Sequence, residues 1–254
     1  MTLAKKDQIR ALLKCIETGD PEPVGVVNEA KYIQHNPQTQ EGSEGLASLF
    51  QRLSKTSPKV NIVRAFEDGD FVFAHTEYDF ASRKIGFEVF RFEDGQAVEH
   101  WDNIQERQGP NPSGRSMVDG PVEATDLDLT NTNLTFVRMF VETVFIDGQT
   151  SRLSEYVNQD SYIEHNPQRG DGLSVLHSAL DSSNEDHRKI DYHKVHRVLS
   201  EGNFVLSVSE GNYGGVHSAF YGLFRVEEGK VVEHWDTIEK IAHRSKWKNN
   251  NGKF

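Results

Sequence analysis

The apolar positions of this chain switch from helical to alternating spacing, and the second half then repeats the order of the first. Leu3, Ile9, Leu12, Leu13 and Ile16 recur at helical spacing until Gly19 ends the run. Leu134, Val137, Phe140, Val141, Val144 and Phe145 do the same before Asp147-Gly148. Shorter helical pieces are expected at 22–30 and 44–53, answered by 151–158 and 172–180. Beyond these the period falls to two. Residues 60–65, 71–78, 85–92 and 97–105 are β-rich and alternating. Glu67-Asp68-Gly69-Asp70 and Glu93-Asp94-Gly95-Gln96 read as hairpin turns, where glycine supplies positive φ. Glu201-Gly202-Asn203 and Glu227-Glu228-Gly229-Lys230 repeat them. Helices followed by an antiparallel meander define an α+β unit. A curved sheet wrapped on helices leaves a cone with one open end, where a ligand pocket would sit.

The repeat is legible residue by residue. Tyr32-Ile33-Gln34-His35-Asn36-Pro37-Gln38 returns as Tyr162-Ile163-Glu164-His165-Asn166-Pro167-Gln168. Val98-Glu99-His100-Trp101-Asp102 returns as Val232-Glu233-His234-Trp235-Asp236. The offset is 130 residues from His35 to His165 and 134 from His100 to His234. Two ordered matches at nearly one spacing, in units far longer than a solenoid repeat, mean duplication of a whole domain. Module 1 is placed at 1–121 and module 2 at 122–254. The stretch 108–128, with Pro110, Pro112, Gly114, Gly120 and Pro121, reads as the linker, part of which could pack as a tail. Asn251-Gly252-Lys253-Phe254 loosely echoes residues 111–117.

Composition narrows the function classes. The chain has 254 residues, 36% hydrophobic and 26% charged, a soluble globular balance. Its net charge of −11 repels phosphate backbones and anionic lipid, which argues against nucleic acid or a membrane surface as partner. No apolar run approaches the ~18 residues of a membrane span. Residues 1–10 are charged and carry no apolar signal core, so a cytoplasmic location is expected. Cys15 is the single cysteine, so no internal disulfide forms, and it reads as a small buried or half-buried apolar residue.

Candidate chemistry centres on the strand 97–105. Alternation puts His100 and Asp102 on one face and Glu99 and Trp101 on the other, and likewise His234 and Asp236 in the second copy. Facing a cavity, such a pair suits proton transfer, because burial raises an Asp pKa toward neutral. The alternative is that the two merely satisfy each other or nearby backbone. Glu88 lies across a hairpin from this pair, and two inward carboxylates would push one pKa upward. His75 is a further candidate, and a solvent-facing position is the alternative for both. The second copy has Gly222 and Val208 at the matching places, so the two pockets differ and the first is richer in ionisable groups. His35 and His165 either sit at the pocket mouth or cap free carbonyls at a helix end. Asn36 and Asn166 read as turn formers, and Pro37 and Pro167 make their segment a break. No tight metal-ligand spacing is visible. Asp186-His187, His193 and His196 read as solvated. Gly211-Asn212-Tyr213-Gly214-Gly215 reads as a bend or bulge between strands rather than a phosphate loop. No Gly-x-Ser-x-Gly elbow occurs.

The Tyr-Ile-Gln-His-Asn-Pro segment, Gly69-Asp70-Phe71-Val72, the Phe-Arg-Phe-Glu-Asp-Gly stretch at 90–95 and Glu-His-Trp-Asp-Asn-Ile-Gln at 99–105 resemble the SnoaL-like polyketide cyclases. More closely, they resemble bacterial SnoaL-like aldol-condensation enzymes of the nuclear-transport-factor-two-like superfamily. The resemblance spans both copies. It implies two tandem cone-shaped α+β barrels with a deep apolar pocket. It also implies a small apolar carbonyl ligand and an aldol-type reaction without metal, nucleotide or other cofactor. A pocket Asp moves the proton, matched here by Asp102 and Asp236, with His100 and His234 assisting. Tyr32, His35, His75 and Glu88, with Tyr162 and His165, are the expected ligand-binding set. Gly222 departs from the pattern and puts catalysis by the second copy in doubt. Members often pair through the outer sheet face, so an intramolecular pseudo-dimer is expected, with further homo-oligomerisation open. The superfamily also holds binding-only members, so a non-catalytic ligand-binding or assembly module is the competing expectation.

Overall fold

A five-stranded sheet stands in each half of the chain. The structure, a computed structural model, describes residues 3–180 and 190–254. Asp186-His187 lie outside the described residues. The chain divides into two compact units, residues 1–106 with 241–254, and residues 107–240. These units do not follow the repeat boundary at 121. The segment 107–121 packs in the second unit, and the C-terminal segment 241–254 packs in the first.

In the first unit, α1 (Lys5–Thr18) is followed by a short 3-10 turn, Glu22–Val26. Then come β1 (Ile33–Gln34), α2 (Gly42–Ser54), β2 (Lys59–Asp68), β3 (Phe71–Asp79), β4 (Arg83–Glu93) and β5 (Gln96–Glu106). The sheet order is β1-β5-β4-β3-β2, with β1 parallel to β5 and every other pair antiparallel. Helix α1 stops where Gly19 takes φ +73 and donates its N–H to the Cys15 carbonyl. The stripe Ile9, Leu12, Leu13 and Cys15 packs against Val60, Val72, Tyr78, Phe90, Phe92 and Ala97. Burying each large aliphatic side chain there contributes about 1.5–3 kcal/mol.

The second unit repeats the plan with α3 (Thr130–Phe140), a π-helical turn at Val141–Ile146 and α4 (Leu153–Tyr156). It continues through β6 (Ile163–Glu164), α5 (Leu173–Leu180), β7 (Ile190–Glu201), β8 (Phe204–Tyr213), β9 (Val216–Glu227) and β10 (Lys230–Lys240). Its order is β6-β10-β9-β8-β7. Each sheet is open rather than a closed barrel, since β1 and β2, like β6 and β7, remain edge strands.

Two expectations change. The Tyr-Ile-x-His segment is not simply a break. Ile33-Gln34 pairs parallel with Glu99-His100, and Ile163-Glu164 with Glu233-His234, before the proline turn begins. A two-residue strand is too short to show a period. Gly211 lies inside β8, and the turn is Gly214-Gly215, with φ +57 and +75, between Tyr213 and Val216. The bulges fall on β7 opposite. His193 is exposed, and His196 is half-buried and bonded to Glu210 at 2.8 Å.

Candidate functional site

A bulge aims the site. Ala97 and Phe92 both belong to the core under α1. Counting by twos from Ala97 would send His100 to the opposite face. However, Phe92 pairs with Ala97 while Arg91 pairs with Glu99, so Val98 is an extra residue. That insertion resets the alternation and turns His100 and Asp102 inward. The second unit does the same with Val232, because Val226 pairs with Val231 and Arg225 with Glu233.

In the first unit Glu88 stands directly opposite Asp102 in the β4–β5 register. His100 Nε2 lies 2.7 Å from Glu88 Oε2, and His100 Nδ1 lies 3.0 Å from Gln34 Oε1. Gln34 Oε1 also accepts from the Asn36 backbone N–H. That oxygen is therefore an acceptor, and His100 Nδ1 carries a proton. The Tyr78 hydroxyl donates to the other Glu88 oxygen at 2.7 Å. Asn36 Nδ2 donates to Asp102 Oδ2 at 2.6 Å. Asp102 Oδ1 makes no hydrogen bond and faces the Lys253 ammonium at 3.5 Å, a buried ion pair. Tyr32 lies parallel to the His100 ring, with centroids 6.5 Å apart. Burial, and then the Glu88 and Asp102 charges, push the Tyr32 phenol far above its usual range. Tyr78 is raised for the first two of these reasons.

Glu88, His100 and Asp102 bring one ligand atom each within 4.8 Å of the others, as a metal site would. The arrangement does not favour an ion. His100 Nε2 and Glu88 Oε2 are spent on each other, and Lys253 already supplies positive charge beside Asp102.

The second unit keeps the parts and changes the wiring. Gly222 replaces Glu88 opposite Asp236, and a Cβ there would sit 3.2 Å from His234 Nε2. The carboxylate comes instead from Glu164, the counterpart of Gln34, which accepts from His234 Nδ1 at 3.0 Å and from Tyr162 OH at 3.0 Å. Arg169 donates to Glu164 at 3.1 Å and to Asp236 Oδ2 at 2.9 Å, while Asn166 Nδ2 reaches both Asp236 oxygens. Burial works upward on the Glu164 carboxyl, but Arg169, His234 and the Asn166 backbone N–H outweigh it and hold it far below its usual range.

The predicted set therefore divides. Asp102, His100, Glu88 and Tyr32 come together, as do Asp236, His234 and Tyr162. His35 and His165 do neither thing expected of them. His35 stacks on Trp101 on the other sheet face, with Nε2 2.9 Å from Glu99 and Nδ1 donating to the Gly252 carbonyl at 3.1 Å. His165 stacks on Trp235, with Nε2 2.8 Å from Glu233 and Nδ1 donating to the Ser116 carbonyl at 2.7 Å. Both histidines hold a tail segment. His75 stacks on Phe87 at 4.4 Å and pairs across from it, so it too lies on the face away from Glu88. Strand parity explains this: Ala74, not His75, stands opposite Glu88.

The sequence reading missed Gln34, Tyr78, Lys253, Glu164, Arg169 and the side chains of Asn36 and Asn166, which bond Asp102 and Asp236 besides closing their turns. The Gln34-to-Glu164 difference inside an otherwise matched motif was the available signal for two of them. A cleft of about 490 Å³ in the second unit, lined by Thr150, Ser154, Gly172 and His177 among others, is open and contains none of the ionisable cluster.

Residues 9–100 match the SnoaL-like domain family. A comparison with curated proteins found no match. Among solved structures, TsrD from Streptomyces laurentii is 20% identical, with 41% of this chain and 92% of that one covered and a TM-score of 0.36. IdmH, a candidate polyketide cyclase from Streptomyces antibioticus, is 18% identical over 39% and 90%, TM-score 0.35. An LEH-like epoxide hydrolase of M. tuberculosis is 18% identical over 43% and 84%, TM-score 0.35. Among the described residues no helix is long and apolar enough to cross a membrane. Residues 9–100 thus carry a SnoaL-like domain, and the second half of the chain is a diverged copy of the same α+β fold.

Proposed function

We propose that the first unit moves a proton alpha to the carbonyl of a small apolar compound, the step shared by aldol cyclisation and isomerisation, with Asp102 as the base. One observation carries the reading: buried Asp102 has one oxygen fixed by Asn36 and the other without a hydrogen bond. That second oxygen, which faces the Lys253 ammonium at 3.5 Å, takes the proton as the C–H bond breaks and the bond's electron pair moves toward the carbonyl oxygen. His100, held between Glu88 and Gln34 with its ring nitrogen within 4.8 Å of an Asp102 oxygen, is the group placed to assist its return. Half-buried Phe50, Ile62, Phe80 and Ile104 pack around the same core and suit an apolar ligand. Ile104 is the next inward position after Asp102 on β5. In the second unit both Asp236 oxygens are occupied, so the chemistry is assigned to the first.

The test is α-hydrogen exchange of 2-tetralone in D2O, followed by proton NMR above the uncatalysed rate. Removing a general base typically costs ~100-fold or more, so Asp102→Asn should lose at least that. Asp236→Asn should stay close to the parent rate. Exchange undiminished in Asp102→Asn would defeat the proposal and leave ligand binding without turnover.

A further inference from the structure

We infer that the C-terminal tail is part of the first site, and that Lys253 supplies the ammonium that holds the substrate's carbonyl oxygen as its α-proton leaves. This rests on the proton-transfer reading above and adds the group that receives the negative charge. Lys253 is 3% exposed. Its burial is built, not incidental. Asn249 Nδ2 donates to the Asn36 and Thr39 carbonyls, Asn251 Nδ2 to the Gln34 carbonyl, and His35 to the Gly252 carbonyl. These bonds thread the tail along the loop that carries Asn36 and leave the ammonium 3.5 Å from Asp102 Oδ1. That gap is too long for a strong hydrogen bond. An α-carbon is bonded directly to the carbon that carries the carbonyl oxygen, so a base and a cation side by side can engage one carbonyl compound together. As the proton passes to Asp102, the negative charge moves from carboxylate to substrate oxygen. The ammonium stays in place, so the buried site keeps its total charge.

The duplication supplies a comparison. In the second unit Asn111 Nδ2 donates to the Glu164 carbonyl and His165 to the Ser116 carbonyl, as Asn251 and His35 act in the first. The residue after that carbonyl is Met117, buried and uncharged, where the first unit has Lys253. The second site takes its cation from Arg169 instead, locked between two carboxylates. The lysine is thus no requirement of tail docking.

The experiment uses the full chain and two probes, cyclohexane-1,3-dione, which is an enolate at neutral pH, and neutral cyclohexanone. Binding is measured by titration NMR. The parent protein should prefer the enolate, and Lys253→Met should lose that preference by about tenfold or more, with enolate binding weakened much more than cyclohexanone binding. Lys253→Gln is read alongside, so that a folding failure of one variant leaves the other decisive. Exchange of 2-tetralone should fall in both. A variant that keeps enolate preference and exchange overturns the role of Lys253 even where Asp102→Asn is inactive. A borohydride-trapped adduct on Lys253 would also overturn it, since the amine would then be a nucleophile. Loss of enolate preference in Lys253→Met alongside unaltered exchange in Asp102→Asn would defeat the base and keep the cation site.

Discussion

Glu88 and His100 hydrogen-bond across the β4–β5 hairpin at 2.7 Å, and the second unit keeps the histidine while dropping the glutamate. The loss is matched by a gain at another strand. Gln34 becomes Glu164, so the carboxylate moves from one side of the imidazole to the other. Each unit thus gives its buried histidine one carboxylate partner, and each of those carboxylates also accepts from a buried tyrosine, Tyr78 or Tyr162. A satisfied buried network tolerates relocation of a charge better than its removal.

This exchange makes a stability prediction. Glu88→Gly should strand the Tyr78 hydroxyl and the His100 ring in a site where Glu88 itself is 3% exposed. Breaking a buried hydrogen-bonded pair costs about 3–5 kcal/mol. Adding Gln34→Glu rebuilds the second unit's arrangement and should recover about 1–2 kcal/mol, a coupling expected of residues sharing one partner. Urea denaturation of both single variants and the double variant measures it. Additive effects would show that the two carboxylates are not interchangeable.

Acid should attack the second unit through Glu164. Its carboxyl is held far below the ordinary value of 4.5, against the pull of burial, by Arg169, His234 and a backbone N–H. A carboxyl depressed on folding contributes stability that is complete above its unfolded value and is lost as pH falls below it. Amide exchange in β10 should therefore speed up progressively below about pH 4.5. Glu164→Gln should flatten that dependence and lower stability at neutral pH. An unchanged slope in the variant would place the acid sensitivity elsewhere.

Much of this was legible in the residues, and the rest was hidden for physical reasons. Alternation put His100 and Asp102 on one face and pairing across the hairpin put Glu88 beside them, which is the geometry found. It succeeded for His100 only because strand position was counted locally, from Glu99 to Asp102, beyond the bulge at Val98. His75 failed the same test because hairpin registry decides which residue faces Glu88, and that is a matter of single positions. Lys253 was out of reach, since nothing in a local pattern says that a C-terminal lysine returns to a strand some 150 residues earlier. Its tail follows module 2 in sequence and packs in the first unit.

Cys15 offers an independent check on the first core. Its thiol is pushed up to about 11, first by burial and then by the nearby Asp20 charge, and its Sγ bonds the Leu12 carbonyl. The thiolate is the reactive form, so alkylation by iodoacetamide at pH 8 should be far slower than for a free thiol. Reactivity should rise to the free-thiol rate in denaturant. Rapid labelling of the native protein, followed by mass spectrometry, would contradict the burial of α1.

The tail histidines make the last prediction. His35 Nδ1 donates to the Gly252 carbonyl, its Nε2 meets Glu99, and its ring covers Trp101. All of this happens on the sheet face opposite Asp102, so His35 touches no substrate in the proposed mechanism. His35→Ala removes the anchor one residue before Lys253. Glu99 keeps its bond to Arg91 at 2.7 Å, which limits the damage to the strand. Losing a buried hydrogen bond of this kind costs about 1–3 kcal/mol. Amide exchange at residues 249–254 should accelerate while β3 and β4 stay protected. His165→Ala should loosen residues 111–119 in the same way, because that ring holds the Ser116 carbonyl. Exchange of 2-tetralone should fall in His35→Ala and not in His165→Ala, because only the first tail carries a lysine into a site. Equal activity in the two variants, with the first tail shown to be loose, would separate tail docking from the chemistry.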